Sequence, residues 1–396
     1  MTASRHARWL LALLPLVAVA IAGIAAAPRV TLWMGKQPDG GYLVSTGQRI
    51  EGSGRPFRGR PIDLAMHPSG EFVAVLNKTN VFLLDDKGEI EGSSAPLAAN
   101  AAFRGLVWTP DGKTLIASTD KGSLVPFALD HGARRLRRLN PARVAPENEK
   151  ANPVPGGITL TRDGKTLYVA AANRNSVVEF DVATMTRKRE LPVQILPFEP
   201  RLSEDEKTLL VSNWGGRVPR PGDRTAKSEK LDVVIDERGA AASGTVSLID
   251  LASGETRHVE VGLHPTAIAV QGARAYVANA ASDTISEIEI PSAQVTRTIP
   301  IKWTSLRVRG SLPNALAIRG ETLWVANGGD NALCEIDLPS GAVRGFRPAG
   351  YFPVAVALSP DRPRAWVLNT KGNGSVARTT LGRPGNAHDF QGTGNL

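Results

Sequence analysis

Short apolar runs, each closed by a polar turn, recur along this chain: "TAIAV" (266–270), "AYVAN" (275–279), "TISEIEI" (284–290) and "VTRTIPI" (295–301) follow one another with few residues between. Runs this short, rich in Val, Ile and Tyr and punctuated by Gly, Pro, Asn and Asp, have the pattern of strands and tight turns. The four predict one antiparallel four-stranded unit. That unit repeats. Aligned on a polar turn and the strand after it, the chain reads "HPSGEFVAVLN", "TPDGKTLIAST", "TRDGKTLYVAA", "SEDEKTLLVSN", "QGARAYVAN", "RGETLWVAN" and "SPDRPRAWVLN". The equivalent apolar positions are Ala74, Ile116, Tyr168, Leu210, Tyr276, Trp324 and Trp366, spaced by 42, 52, 42, 66, 48 and 42 residues. A period of that size, all strand and turn, predicts propeller blades. One blade cannot cover both of its apolar faces, so neighbours must stack around an axis, and the ring hides most strand edges.

The expected fold is therefore all-β: a seven-bladed β-propeller of four-stranded antiparallel blades. The large side chains at the repeat position are expected between blades, and truncating Trp324 there should cost about 3 to 5 kcal/mol. The acid ending each third strand (Asp85, Asp130, Asp181, Asp250, Asp337) starts a bend in which Asp bonds its own backbone. The last unit shows inner strands at 353–359 and 364–369 but no outer ones after them. Residues 41–52, "GYLVSTGQRIEG", resemble the outer half of a blade and are expected to complete it, closing the ring with an N-terminal strand and leaving residues 382–396 dispensable.

An apolar content of 42% over 396 residues is enough for a large core. Ahead of the repeats, Arg5 and Arg8 precede an uncharged run from Trp9 to Ala27 that ends in small residues. Residues 1–27 read as a secretory signal, or as an anchor if retained. Either places the remainder, 28–396, outside the cytoplasm, periplasmic or secreted. Cys334 is the single cysteine, which excludes an intramolecular disulfide and a Cys-based zinc site. The net charge of +9 has no block longer than "RRLRR" (134–138), and Leu136 interrupts it as a strand with one wet face would. No nucleic-acid partner is expected, because stacking aromatics are absent from the basic segment.

The search for chemistry returns little. His67, His131, His258, His264 and His388 show no ligand spacing, no Gly-x-Ser-x-Gly elbow occurs, and "WGGR" and "NGGDN" lack the Lys and the helix of a phosphate loop. No catalytic residue, metal or cofactor is expected. What remains is the rim where the loops between second and third strands meet the segments entering the inner strands. The first loop set supplies Asn213, Trp214, Arg217, Asn279, Asn327 and Asn369, and the second supplies His264, Asn314, Tyr351 and Phe352. Concave rims are the default binding sites of such folds. The repeated Asn reads first as a loop cap; the loop aromatics carry less packing work and are better ligand candidates. A mixed-charge insertion, 214–243, could cover the channel mouth or hold a partner.

"YVANAASDTISEIEI" and "LWVANGGDNALCEIDLPSG" resemble the YVTN-type β-propeller repeats of exported proteins. More narrowly, "LLVSNWGGR", "GTVSLIDLASGE", "VGLHPTAIAV", "GSLPNALAI" and "AGYFPVAVALSPD" resemble propellers that, in longer relatives, precede a phosphoesterase domain of the alkaline phosphatase superfamily. The resemblance spans roughly residues 40 to 393. Such relatives would continue beyond "FQGT" (390–393) into the metal-binding hydrolase, so the resemblance transfers no metal ligand here. Two classes of function stay open. In one, a monomeric exported propeller without catalysis of its own presents its rim to a ligand, an envelope polymer or a hydrolase domain. That reading predicts a channel mouth without converging, shifted titratable groups. In the other, the chain is the propeller portion of a phosphoesterase, or a lactonase- or quinoprotein-like propeller enzyme. Membrane contact is expected only through a retained N-terminal segment.

Overall fold

The computed structural model describes residues 35–36, 41–43, 49–50, 55–56, 59–91, 96–228, 230–301, 310–360, 362–372 and 393–395. The segment 1–27, expected to direct export, lies outside these. Among the described residues one 3-10 turn, Ala172–Arg174, is the sole helical element.

Six blades are each folded from one uninterrupted stretch. The first runs through strands Pro61–Met66, Val73–Asn77, Val81–Leu84 and Ile90–Glu91, the second through Ala101–Trp108, Thr114–Thr119, Ser123–Asp130 and Arg135–Arg138. The third uses Pro155–Leu160, Thr166–Ala171, Ser176–Asp181 and Thr186–Pro192; the fourth uses Ile195–Leu202, Thr208–Gly216, Gly244–Asp250 and Thr256–Val261. The fifth and sixth are the regular units of 265–300 and 313–348. Inner strands follow one another around an axis.

The expected count of seven such blades is corrected to six. Between the sixth and the first stands a composite sheet: Tyr351–Leu358 and Ala365–Gly372 at full length, then the stubs Thr393–Asn395 and Arg55–Pro56, one from each end of the described chain. Residues 41–52 do not complete it. Tyr42–Leu43 instead pairs with Gly35–Lys36 and Arg49–Ile50 in a separate small sheet. The edge of Ala365–Gly372 that those residues were to cover is already taken by Thr393–Asn395. The N-terminal contribution comes from Arg55–Pro56, which pairs with Thr393–Asn395 and stands five residues, at most about 17 Å of chain, ahead of the first blade's inner strand at Pro61.

Packing follows the repeat. Ala74, Ile116, Tyr168, Leu210, Tyr276 and Trp366 are all buried. Between the fifth and sixth blades Tyr276, Ile285 and Ile299 meet Leu323, Val325 and Ile336, with Cys334 sealed among them and its thiol pushed up to about 12 by burial. The seam between the sixth blade and the closing sheet is thinner, built largely from Ala315, Ala326, Ala349, Leu333 and Val367. Trp324 lies there and is only half-buried, at the side of a groove of about 830 Å³, with the Arg347 guanidinium 5.6 Å over its ring. Its expected place in the core is corrected accordingly.

The acidic bends form as the sequence implies. Asp85 Oδ1 accepts the Lys87 and Glu89 N–H groups at 2.9 and 2.7 Å, and Asp250 Oδ1 accepts those of Ala252 and Ser253 at 3.0 and 2.7 Å. The arginines of "RRLRR" decorate an outermost strand, with Arg135, Arg137 and Arg138 exposed and Leu136 buried.

Candidate functional site

An innermost strand has one edge with no strand partner, so it tolerates Pro, which donates no hydrogen bond, and it tolerates bulges. The sequence uses both. Pro61, Pro155, Pro197, Pro265, Pro313 and Pro353 stand at or near the starts of their strands, and the pairing register shifts beside each one. A bulge re-aims a side chain. Here Ile62, Phe103, Phe198, Thr266, Asn314 and Val354 line one axial cavity of about 280 Å³, with Val154 from the third blade. That blade's inner strand carries Gly156 instead, because a Cβ there would lie 2.6 Å from the Phe198 carbonyl oxygen.

The segments entering these strands share a second feature. Val154, Leu196, His264, Leu312 and Phe352, each directly before one of the prolines, have φ between 46° and 59°. Such left-handed corners are costly for side chains with a Cβ and persist only where surroundings fix them. The loops after the second strands do so: Ala172, Ala280 and Gly328 donate their N–H groups to the carbonyls of Val154, His264 and Leu312.

Arg104 reaches across the axis from the second blade. Its Nη1 donates to the Asn314 carbonyl at 3.0 Å and lies 3.0 Å from Glu199 Oε2, while Nη2 is 3.9 Å from Asp63 Oδ1. Glu199 Oε1 also accepts from Arg201 Nη2 at 2.7 Å. Asp63 accepts the N–H groups of Leu64 and Gly105, both at 3.0 Å. Burial pushes the Asp63 carboxyl above the usual carboxylate range, opposed by Arg104 and the Gly105 N–H. Three charged groups thus converge on the channel, contrary to the expectation of a mouth without them. Both Asp63 oxygens and Glu199 Oε1 accept hydrogen bonds, and Glu199 Oε2, which accepts none, faces the Arg104 guanidinium, as in a structural ion network, which also shifts pKa values without catalysis.

Of the ten rim residues expected from the sequence, Asn314 alone lines this cavity, its Nδ2 donating to the Pro353 carbonyl at 3.1 Å. Asn213, Asn279, Asn327 and Asn369 are fully buried. Asn213 Nδ2 donates to Ser247 Oγ at 2.9 Å, Asn279 Nδ2 to Ser286 Oγ at 2.9 Å, and Asn327 Nδ2 to Asp330 Oδ2 at 3.1 Å, which ties the loop to its own blade. Trp214 and His264 stack with ring centroids 4.2 Å apart and planes 15° off parallel, and burial holds the His264 imidazole below its ordinary value. Arg217 turns into the insertion, binding both Asp223 oxygens at 2.6 and 2.7 Å. Tyr351 and Phe352 are half-buried, and the Lys371 ammonium stands 4.8 Å over the Phe352 ring. The insertion carries a hairpin, Thr225–Ser228 with Leu231–Val234, pinned by buried Val234.

The sequence reading missed Asp63, Phe103, Arg104 and Glu199. Their signal was a charge or an extra aromatic on an otherwise apolar inner strand, in "PIDLAM", "AAFRGLVW" and "ILPFEPRL". Among the described residues no group of three or more His, Cys, Asp or Glu side chains is placed to hold a metal, and no helix is long and apolar enough to cross a membrane.

No family model and no curated protein sequence matches the chain. Among solved structures, a chain of hydrazine synthase from Kuenenia stuttgartiensis is similar, with a TM-score of 0.61 at 18% identity, covering 79% of this chain and 93% of that one. At that identity the likeness shows the β-propeller fold alone.

Proposed function

We propose that this chain is a β-propeller binding module whose site is the mouth of its axial channel. The observation that carries the reading is the convergence of one bulged side chain from nearly every inner strand on a single cavity, open among the rim loops. Pockets of this kind, concave and mostly apolar with a few placed polar groups, are where small ligands bind. The binding reading is preferred to a propeller enzyme because Asp63 and Glu199, the two carboxylates that meet across the axis, are paired with Arg104, Arg201 and backbone N–H groups. The same proposal reads the chain as a YVTN-type propeller exported by its N-terminal segment, on the strength of the quoted loops and of Arg5, Arg8 and the apolar run behind them.

The test is a thermal-shift and calorimetric screen of small anions, neutrals and cations against the wild type and Val354→Trp, which fills the cavity from its wall. At least one class should raise the melting temperature, by an amount set by its occupancy. The shift should vanish in the filled variant while its circular dichroism stays native. Binding that ignores Val354→Trp, or no binding by any class, overturns the reading.

A further inference from the structure

The cavity's charges are not balanced at its mouth. Arg60 is exposed and Lys78 half-buried where the loops enter, and among the described residues neither side chain meets a carboxylate within ion-pair distance. Elsewhere the arginines are mostly spoken for: Arg201 by Glu199, Arg217 by Asp223, and Arg274 and Arg297 by Glu287. Deeper in, Arg104 is neutralised by Glu199 and Asp63, so the interior offers no second positive charge. Asp120 also lines the cavity, its Oδ2 held by Asn100 Nδ2 at 2.9 Å and its buried Oδ1 without a hydrogen-bond partner, so the mouth sets two cations against one acid.

The walls are apolar and one of them is bare. Phe103 is 69% exposed, the most exposed large apolar side chain among the described residues, and it projects from an innermost strand, where a ring normally packs. Burying such a ring is favourable, so an unaccompanied Phe at the mouth is a surface awaiting a partner. Ile62, Phe198 and Val354 continue that surface inward. A volume of about 280 Å³ lies at the lower end of the ~300–1,000 Å³ typical of ligand pockets. Only a small molecule fits.

We propose that the axial cavity binds a small organic monoanion with a flat or branched apolar body, such as an aryl or short alkyl carboxylate. The carboxylate lies between Arg60 and Lys78, and the apolar body lies against Phe103 with its far end toward Val354. This rests on the reading of the channel mouth as the binding site and adds the class of ligand. A multiply charged phosphate fits less well, because the interior would present it with Glu199 and Asp63 behind an already paired Arg104.

Three probes share one ring and differ in charge: sodium benzoate, benzamide and benzylamine, titrated into the full chain at low salt. Benzoate should bind at least about tenfold more tightly than either of the others, the ratio expected from one charge-assisted contact of about 1.5–3 kcal/mol. Paired Arg60→Gln and Lys78→Gln substitutions should remove that preference, and Phe103→Ala should weaken benzoate severalfold with unchanged melting temperature. Raising salt should weaken benzoate and leave benzamide unaffected. Equal or tighter binding of benzylamine or benzamide, or of inorganic phosphate, overturns the ligand class. If that binding is still lost in Val354→Trp, the channel mouth remains the site and only the anion proposal fails; if nothing binds, both fail.

Discussion

Trp324 and Trp366 occupy the same register on neighbouring sheets but do different work. Trp366 is 5% exposed among Leu64, Val73 and Leu368, whereas Trp324 faces a groove and the Arg347 guanidinium. Trp366→Ala should therefore cost about 3–5 kcal/mol in denaturant melts. Trp324→Ala should cost about 1–2 kcal/mol, since part of the ring is already wet and a surface cation-π contact adds about 0.5–1; equal losses would contradict this. The bends make a pH prediction of definite sign. The Asp250 carboxyl is held below its usual range by the Ser253 N–H and hydroxyl and the Ala252 N–H, and Asp111, Asp163, Asp181, Asp205 and Asp337 are lowered by like contacts. Each binds its proton less readily folded than unfolded. Their stabilisation is complete above about pH 4, the unfolded value, and is lost as pH falls through the folded one. Melting temperature should drop between pH 4 and 2, and Asp250→Asn, which keeps the amide acceptor but not the titration, should flatten that slope. These bends were legible because an Asx turn needs only residues a few positions apart. The exposure of Trp324 was not, since it depends on how much of the adjacent sheet exists.

At the scale of the element, the segment entering each blade deserves a mechanical reading of its sequence. "GLHP", "GSLP" and "GYFP" each hold a left-handed residue ahead of a proline, and the carbonyls of His264 and Leu312 accept N–H groups of the neighbouring loops. Val154 is the costliest of these, because a β-branched side chain at a φ of 46° is an outlier. Val154→Asn, which tolerates that conformation, should raise stability by several tenths of a kcal/mol to about 1; thermal unfolding that starts earlier would show that the valine packing outweighs the strain. Strand identity and order were readable from periodicity. The bulges were not, because they arise from the free inner edge of a closed ring. For that reason Asp63, Arg104 and Glu199 pass unnoticed in a strand-by-strand reading. Their meeting place exists only once separate blades share an axis.

For the whole molecule the decisive feature is the closing sheet, where Thr393 pairs with both Asn369 and Pro56. Removing residues 393–396 should leave the edge of Ala365–Gly372 open, lower the melting temperature by several degrees and promote association through that edge. A truncated protein that melts like the full chain would return the closure to the N-terminal stretch and leave the tail dispensable, as the sequence alone suggested. The same sheet imposes a timetable. Six blades are local units whose strands lie within 31 to 67 residues of one another, so each can form soon after it is synthesised. The seventh position joins the two ends, a contact with the longest loop to close and hence a late one. In refolding followed by pulsed hydrogen exchange, amides of Val367–Asn369 and Thr393–Asn395 should be the last to gain protection. Until then the flanks that will meet, Leu64 and Val75 on one side and Ala355, Trp366 and Leu368 on the other, stand open together as the chain's longest-lived adhesive surface.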